Sequence, residues 1–173
     1  MKKKEKIAVE IERKYIIRMP SINEISQMYG YTKSDILQIY LPSDMGETHR
    51  IRRRVYSDRI KCTETRKIRI DKMSSTEIEG EISQSDFDLL AKNPLEGRTP
   101  IEKTRHTFIF KGQTFEIDIY PNWKNTAIME TELSDREKLV TFPSFIEIIR
   151  EVTGNKAYSN AAMSKSFPDE DKI

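Results

Sequence analysis

The chain of 173 residues contains a single cysteine, Cys62, and can therefore form no internal disulfide. An unpaired cysteine is typical of proteins from reducing compartments. No apolar run approaches the ~20 residues of a membrane-spanning helix, and no long apolar stretch follows the first lysines as it would in a signal peptide. The net charge of +2 argues against a general affinity for nucleic acids or membranes. We expect a cytoplasmic protein whose partners include neither nucleic acid nor membrane.

Charged residues are abundant, at 34% of the chain, and nearly equal the hydrophobic residues at 36%. Such a chain either solvates its charges or builds a charged interior. The length fits one domain with a sizeable core. We expect this domain to cover residues 1–163 and residues 164–173 to form a frayed tail. The sequence does not decide between a monomer and a homodimer.

Eight segments with strand-like alternation follow one another in hairpin-like succession. They predict a mainly β (α+β) fold, an eight-stranded antiparallel barrel with a few flanking helices. Helices are predicted after Pro20, over residues 85–91 and from Pro143 to Glu151, where apolar residues recur at helical spacing. A barrel of this size can enclose one small ligand.

The first strand carries a charged face. Period-two alternation places Glu10, Glu12 and Lys14 on one side of the strand. Two carboxylates on one wall can hold a hard divalent cation, and the adjacent ammonium can contact a phosphate that the cation brings. An edge strand with a solvated charged face is the alternative interpretation.

Other strands carry runs of a single charge. Arg50, Arg52 and Arg54 share one strand face, and residues 77, 79 and 81 are all glutamates on another. Side chains at i and i+2 lie only about 6.6 Å apart, so each run repels itself. A surface suited to solubility would mix the signs. We therefore interpret the charged faces as the lining of an interior tunnel for a complex of metal and oligophosphate.

These residues resemble the CYTH family of triphosphate tunnel metalloenzymes, whose hallmark is Glu-x-Glu-x-Lys. The resemblance covers nearly the full chain, in the expected order. Its segments are Glu10-Ile11-Glu12-Arg13-Lys14, Gln38-Ile39-Tyr40-Leu41, Arg50-Ile51-Arg52-Arg53-Arg54, Glu77-Ile78-Glu79-Gly80-Glu81-Ile82, Glu102-Lys103-Thr104-Arg105, Phe115-Glu116-Ile117-Asp118, Met129-Glu130-Thr131-Glu132-Leu133 and Glu151-Val152-Thr153-Gly154, with Tyr158 and Asn160.

The resemblance implies a tunnel barrel that binds a triphosphate together with Mg²⁺ or Mn²⁺. Metal ligands are expected at Glu10, Glu12, Glu79, Asp118, Glu130 and Glu132. Substrate contacts are expected at Arg50, Arg52, Arg54, Lys67, Lys103 and Arg105. Lys14 is expected to orient the attacking water or, with a lowered pKa, to accept its proton, and Tyr40 to assist water or leaving group.

The sequence departs from the family at two positions. Thr63-Glu64-Thr65 stands where the family often has Thr-x-Lys, although Lys67 shares that face, and no arginine precedes the fifth-strand glutamates. The activity implied is metal-dependent hydrolysis of inorganic tripolyphosphate to pyrophosphate and phosphate. The alternatives are a class IV-type adenylate cyclase, a thiamine triphosphatase and a non-catalytic module that binds polyphosphate or nucleotide.

Overall fold

Nine antiparallel strands account for most of the structure, a computed structural model that describes the backbone of residues 6–173 and side chains from residue 10 onward. The strands are β1 Lys6–Arg18, β2 Thr32–Leu41, β3 Glu47–Val55, β4 Ile60–Arg69, β5 Ser74–Ile82, β6 Ile101–Phe110, β7 Gln113–Ile119, β8 Thr126–Glu132 and β9 Ile148–Glu151. Three short helices accompany them: α1 Ile22–Ser26, α2 Gln84–Leu90 and α3 Asn160–Met163.

The first eight strands close into a barrel in the order β5-β4-β3-β2-β6-β7-β8-β1, because β1 also pairs with β5. The first half of β1 pairs with β5 as far as Ile11, whereas its second half pairs with β8 from Glu12 to Arg18. This closure confirms the predicted eight-stranded antiparallel barrel with a few flanking helices.

The prediction of a helix from Pro143 to Glu151 is wrong. The segment ends in β9, which pairs antiparallel with residues 15–17 of β1. Those residues lie beyond the point where β5 leaves β1, so their backbone groups on that side need another partner. The ninth strand supplies it, at the expense of a helix that the apolar spacing favoured.

The outer surface of the barrel carries two apolar clusters. One includes Tyr15, Phe108, Phe115 and Met129 and packs against Ile25 of α1. The other packs Phe87 of α2 against β2–β5. Ser21 and Ser83 cap α1 and α2 through hydrogen bonds from Glu24 N and Asp86 N, respectively. With apolar residues outside the barrel, the opposite strand faces point inward.

A third cluster joins the inward faces near one end of the barrel to the segment after β9. It contains Ile16, Tyr120 and Ile128 together with Val152, Tyr158 and Met163. This cluster covers one end of the barrel with apolar side chains, so the charged residues lie in the remaining part of the interior.

Residues 164–173, for which the sequence suggested a frayed tail, contact the barrel. Trp123 Nε1 donates a hydrogen bond to Pro168 O at 2.9 Å, and the ring of Phe167 packs edge-on against Trp123. The Glu170 carboxylate accepts from the backbone N–H groups of residues 124–126 at 2.7–2.9 Å. The single-domain boundary at residue 163 stays a prediction. No helix within residues 6–173 is long and apolar enough to cross a membrane.

Candidate functional site

The interior of the barrel is a cavity of about 1140 Å³ lined by charged side chains. The prediction that the like-charged strand faces turn inward is therefore confirmed. The sequence-predicted site residues that line the cavity are Glu10, Glu12, Lys14, Tyr40, Arg50, Arg52, Arg54, Lys67, Glu79, Lys103, Arg105, Glu130 and Glu132. Asp118 belongs to the same predicted site but is fully buried behind this surface.

Asp118 holds two of the cations in place. Its Oδ2 lies 2.5 Å from Lys103 Nζ, and Arg105 contacts both of its oxygens at 2.6 and 2.7 Å. Burial alone would raise the pKa of Asp118, but Arg105 and Lys103 lower it below its usual range. Asp118 therefore stays ionised, with both oxygens already paired.

The two lysines of the site have opposite electrostatic environments. Lys14 Nζ lies 2.8 Å from Glu130 Oε1 and 3.4 Å from Tyr158 O. Burial by itself would lower the pKa of Lys14, but the negative charges of Glu130 and Glu12 have the larger effect. The pKa of Lys14 is therefore raised above its usual value. Burial and the neighbouring Arg105 lower the pKa of Lys103 to about 8. The condition set for Lys14 as proton acceptor, a lowered pKa, is thus met by Lys103 and not by Lys14.

Carboxylates crowd the wall where β1, β5 and β8 meet. Glu12 is the cross-strand partner of Glu132. Burial and the carboxylates of Glu77, Glu12 and Glu132 raise the pKa of Glu10 to about 7, although Lys67 opposes this rise. Mutual repulsion of this kind is relieved when a divalent cation binds between carboxylates.

As arranged in the described part of the chain, no three Asp, Glu, His or Cys side chains form a ready metal-binding group. The wall nevertheless fits Mg²⁺ or Mn²⁺ chemically, because Glu10, Glu12 and Glu132 offer hard, anionic oxygens. By contrast, two other predicted metal ligands, Glu130 and Glu79, are already paired with arginines. Arg105 Nη2 lies 3.1 Å from Glu130 Oε2, and Arg52 Nη2 lies 2.9 Å from Glu79 Oε2.

Glu77 is a site residue that the sequence analysis did not include among its candidates. Its carboxylate lies 2.7 Å from Lys67 Nζ and 3.4 Å from Arg50 Nη2. Burial would raise the pKa of Glu77, but Arg50 and Lys67 lower it. Its position in step with Glu79 on an inward face was the signal that could have identified it.

The departure from the family pattern on the fourth strand is offset by a neighbouring lysine. Thr65, where a lysine is often found, donates a hydrogen bond to Glu79 Oε2 at 2.9 Å. Lys67, two residues further along β4, reaches Glu10 Oε2 at 3.6 Å as well as Glu77. The cation of the fourth strand is therefore Lys67, which lies closer to the carboxylate wall than residue 65 does.

Three arginines on β3 line the cavity and have unpaired hydrogen-bond donors. The buried Nε atoms of Arg50, Arg52 and Arg54 have no hydrogen-bond partner. Burial together with Arg50 and Arg54 lowers the pKa of Arg52 to about 10, which still leaves it charged at neutral pH. A bound anion could satisfy these unpartnered donors.

Tyr40 is a neutral phenol in this environment. Its hydroxyl accepts a hydrogen bond from Gln38 Nε2 at 2.8 Å. Burial raises the pKa of Tyr40 despite the nearby Arg50 and Lys14 cations. The hydroxyl can therefore donate a hydrogen bond into the cavity but cannot act as a base near neutral pH.

Comparison with known proteins gives relatives of matching size and fold. No family model matches the chain. Over 166 residues the chain is 28% identical to an inorganic triphosphatase of Acetivibrio thermocellus, covering 91% of this chain and 94% of the relative. The crystal structure of the inorganic triphosphatase NE1496 superposes with a TM-score of 0.60 at 25% identity, covering 92% and 97% of the two chains.

The PH1819 protein from Pyrococcus horikoshii OT3 is similar in fold, with a TM-score of 0.53 at 24% identity over 74% of this chain and 80% of that one. This third likeness concerns the fold alone. The similarities to the two proteins named inorganic triphosphatases confirm the resemblance that the motifs indicated.

Proposed function

We propose, from the similarity of this chain to the CYTH family of triphosphate tunnel metalloenzymes, that it hydrolyses inorganic tripolyphosphate to pyrophosphate and phosphate with Mg²⁺ or Mn²⁺. The observation that carries the proposal is the division of one cavity into an anion-binding side and a carboxylate wall. The similarity to two proteins named inorganic triphosphatases supports the choice of substrate.

The anion-binding side would hold the triphosphate. Arg50, Arg52 and Arg54 would direct their unpartnered Nε–H groups at phosphate oxygens, because phosphate accepts hydrogen bonds from guanidinium groups with high affinity. Fixed donors in a shielded cavity stabilise the charge that develops in phosphoryl transfer.

The carboxylate wall would hold the metal. Glu10, Glu12 and Glu132 are the main ligands in this proposal, and the bound ion neutralises phosphate charge. Glu130 and Glu79 would contribute once substrate oxygens replace them as partners of Arg105 and Arg52. Asp118, with both oxygens paired, would position Lys103 and Arg105 instead of contacting the ion.

Lys14, Lys103 and Tyr40 would act at the reacting phosphate. Lys14, paired with Glu130 beside the metal wall, would remain charged and contact a phosphate oxygen or orient water. Lys103, whose pKa is about 8, is the better candidate for exchanging a proton. Tyr40 would donate a hydrogen bond from its hydroxyl to the leaving oxygen.

The test is incubation of the purified chain with tripolyphosphate, ATP or thiamine triphosphate, with Mg²⁺ or Mn²⁺ and with EDTA as the metal-free control. Orthophosphate, pyrophosphate and cyclic AMP are measured together. We expect metal-dependent release of equal orthophosphate and pyrophosphate from tripolyphosphate. Cyclic AMP from ATP with tripolyphosphate untouched would establish a cyclase, and binding without turnover of any substrate would establish a binding module.

A matched pair of variants ties the activity to the cavity. Arg52→Met removes an inward guanidinium and should raise KM for tripolyphosphate. Arg53→Met removes an outward guanidinium next in sequence, which lies 3.8 Å from Asp88 on the surface, and should leave KM unchanged. Equal effects of both substitutions would contradict binding inside the barrel.

A further inference from the structure

Five buried side-chain atoms in the described part of the chain lack a hydrogen-bond partner, and all five belong to residues that line the cavity. They are Gln38 Oε1, Arg50 Nε, Arg52 Nε, Arg54 Nε and Thr63 Oγ1. Four of them can donate a hydrogen bond. Gln38 Oε1 is an amide oxygen and can only accept one.

Gln38 is completely buried, and its amide group hydrogen-bonds to the neighbouring Tyr40. Its Nε2 donates to the Tyr40 hydroxyl at 2.8 Å, which leaves Oε1 as the free end of the amide. A buried acceptor without a donor destabilises the folded chain, so an atom of this kind needs a hydrogen-bond partner.

The surroundings of Gln38 restrict what that ligand can be. Gln38 is the cross-strand partner of Arg52, which is in turn the partner of Thr63, so the three side chains lie side by side about 5 Å apart. Triphosphate oxygens accept hydrogen bonds and would satisfy Arg52 and Thr63, but they cannot satisfy Gln38 Oε1.

A metal ion at Gln38 is opposed by electrostatics. The residue faces the arginines of β3, whereas the acidic wall is formed by β1, β5 and β8. A cation placed beside Arg52 would be repelled by it, and by Arg50 and Arg54 on the same strand face. A neutral hydrogen-bond donor next to a bound phosphate fits this position, and water is such a donor.

We propose that Gln38 Oε1 positions the water that attacks the terminal phosphorus, an inference that rests on the proposed hydrolase function. An amide side chain plays this part in GTP hydrolysis, where it orients water without taking its proton. The water oxygen forms the new bond to phosphorus, and the bond to the leaving oxygen breaks with its electron pair on pyrophosphate. One water hydrogen remains as the hydroxyl of the released phosphate, and the other neutralises the leaving oxygen.

Gln38→Met tests this role, because methionine nearly conserves the shape but offers no amide oxygen. At saturating metal, kcat for tripolyphosphate should fall roughly tenfold or more, the worth of one well-placed hydrogen bond, while KM stays within about twofold. The dissociation constant of non-hydrolysable imidotriphosphate, measured by calorimetry, should be unchanged. Gln38→Glu, which keeps an acceptor oxygen, should recover a larger share of kcat at a higher KM.

Thr63→Val is the matched control, since it removes the neighbouring unpartnered group that a phosphate can satisfy. It should raise KM and the dissociation constant of imidotriphosphate, with kcat little changed. A loss of kcat in Gln38→Met and a rise of KM in Thr63→Val would distinguish a residue that positions water from one that binds substrate.

The outcomes also separate failure of this inference from failure of the proposed function. A wild-type chain that hydrolyses no triphosphate overturns both. A wild-type chain that is active, with Gln38→Met raising KM at unchanged kcat, makes Gln38 a substrate contact. If Gln38→Met instead needs a higher metal concentration for activity, Gln38 is a metal ligand. Should Gln38→Met fail to fold by circular dichroism, Gln38→Glu decides, because a complete loss of kcat in this variant, which keeps an acceptor oxygen, would contradict the role.

Discussion

Replacing Glu10 by glutamine should stabilise the metal-free protein above neutral pH. The carboxylates of Glu77, Glu12 and Glu132 surround Glu10 and, with burial, oppose its ionisation. Glutamine nearly conserves the shape and stays neutral. Lys67 keeps an acidic partner after the change, because its Nζ also lies 2.7 Å from Glu77 Oε1.

The magnitude follows from the pKa of Glu10. A pKa of about 7 in place of the usual 4.5 corresponds to roughly 3 kcal/mol in favour of the neutral side chain. The Glu10 side chain is 31% exposed, and screening by solvent reduces the effect to about 1–2 kcal/mol. In a chain of this length, that gain raises Tm by roughly 2–8 °C.

The stabilisation by Glu10→Gln should increase with pH. Because folding raises the pKa of Glu10, the folded state binds its proton more tightly than the unfolded state does. This contribution to stability is present below about pH 4.5 and is lost as pH rises to about 7. The advantage of Glu10→Gln should therefore be largest at pH 8 and small at pH 5, where Glu10 of the wild type is already protonated.

The assay is thermal unfolding in EDTA at pH 5 and pH 8, for the wild type, Glu10→Gln and Glu96→Gln. Glu96 is exposed on the loop after α2, so its variant controls for net charge. Added Mg²⁺ or Mn²⁺ should stabilise the wild type and the Glu96 variant more than Glu10→Gln. A lower Tm for Glu10→Gln at pH 8, or an equal gain at both pH values, would refute the crowded carboxylate wall.

Three further predictions concern the charged interior and one buried histidine. Asp118→Asn leaves two buried cations without a full counter-charge and should cost about 3–5 kcal/mol in urea unfolding, part of which Lys103→Met in the same chain restores. Lys14→Ala should lower kcat more than it raises KM in steady-state kinetics, because the arginines still hold substrate; a rise in KM alone would make Lys14 one more substrate contact. Burial lowers the pKa of His106, so stability should fall as pH drops below about 6.5, and His106→Gln should flatten that fall in urea midpoints measured from pH 5 to 7.5.

Periodicity in the sequence identified most of the strands and which of their side chains share a face. Glu10, Glu12 and Lys14 recur at every second position, and so do Lys103 and Arg105 of β6 and Glu130 and Glu132 of β8. Alternation is a local property, because successive side chains of a strand point to opposite sides whatever the strand pairs with. The like charges on separate strands then required an enclosed space in which opposite signs meet, and the cavity provides it.

Pairing across the barrel decided what each charged group does. Lys14 and Lys103 look alike in sequence, but Lys14 lies beside Glu130 whereas Lys103 is buried next to Arg105, and their pKa values shift in opposite directions. Asp118 has the composition of a metal ligand, yet both of its oxygens are taken by cations of β6.

The same distinction applies to two segments whose contacts lie far away in the sequence. The apolar spacing before Glu151 favours a helix, but the open edge of β1 at residues 15–17 requires a strand. The polar C-terminal segment carries no local signal of order, but Glu170 meets three backbone N–H groups of the turn at residues 124–126. Sequence alone determined the eight barrel strands and the faces of their side chains. Barrel closure and register decided the partners, because those contacts join residues far apart in the chain and depend on where every other strand lies.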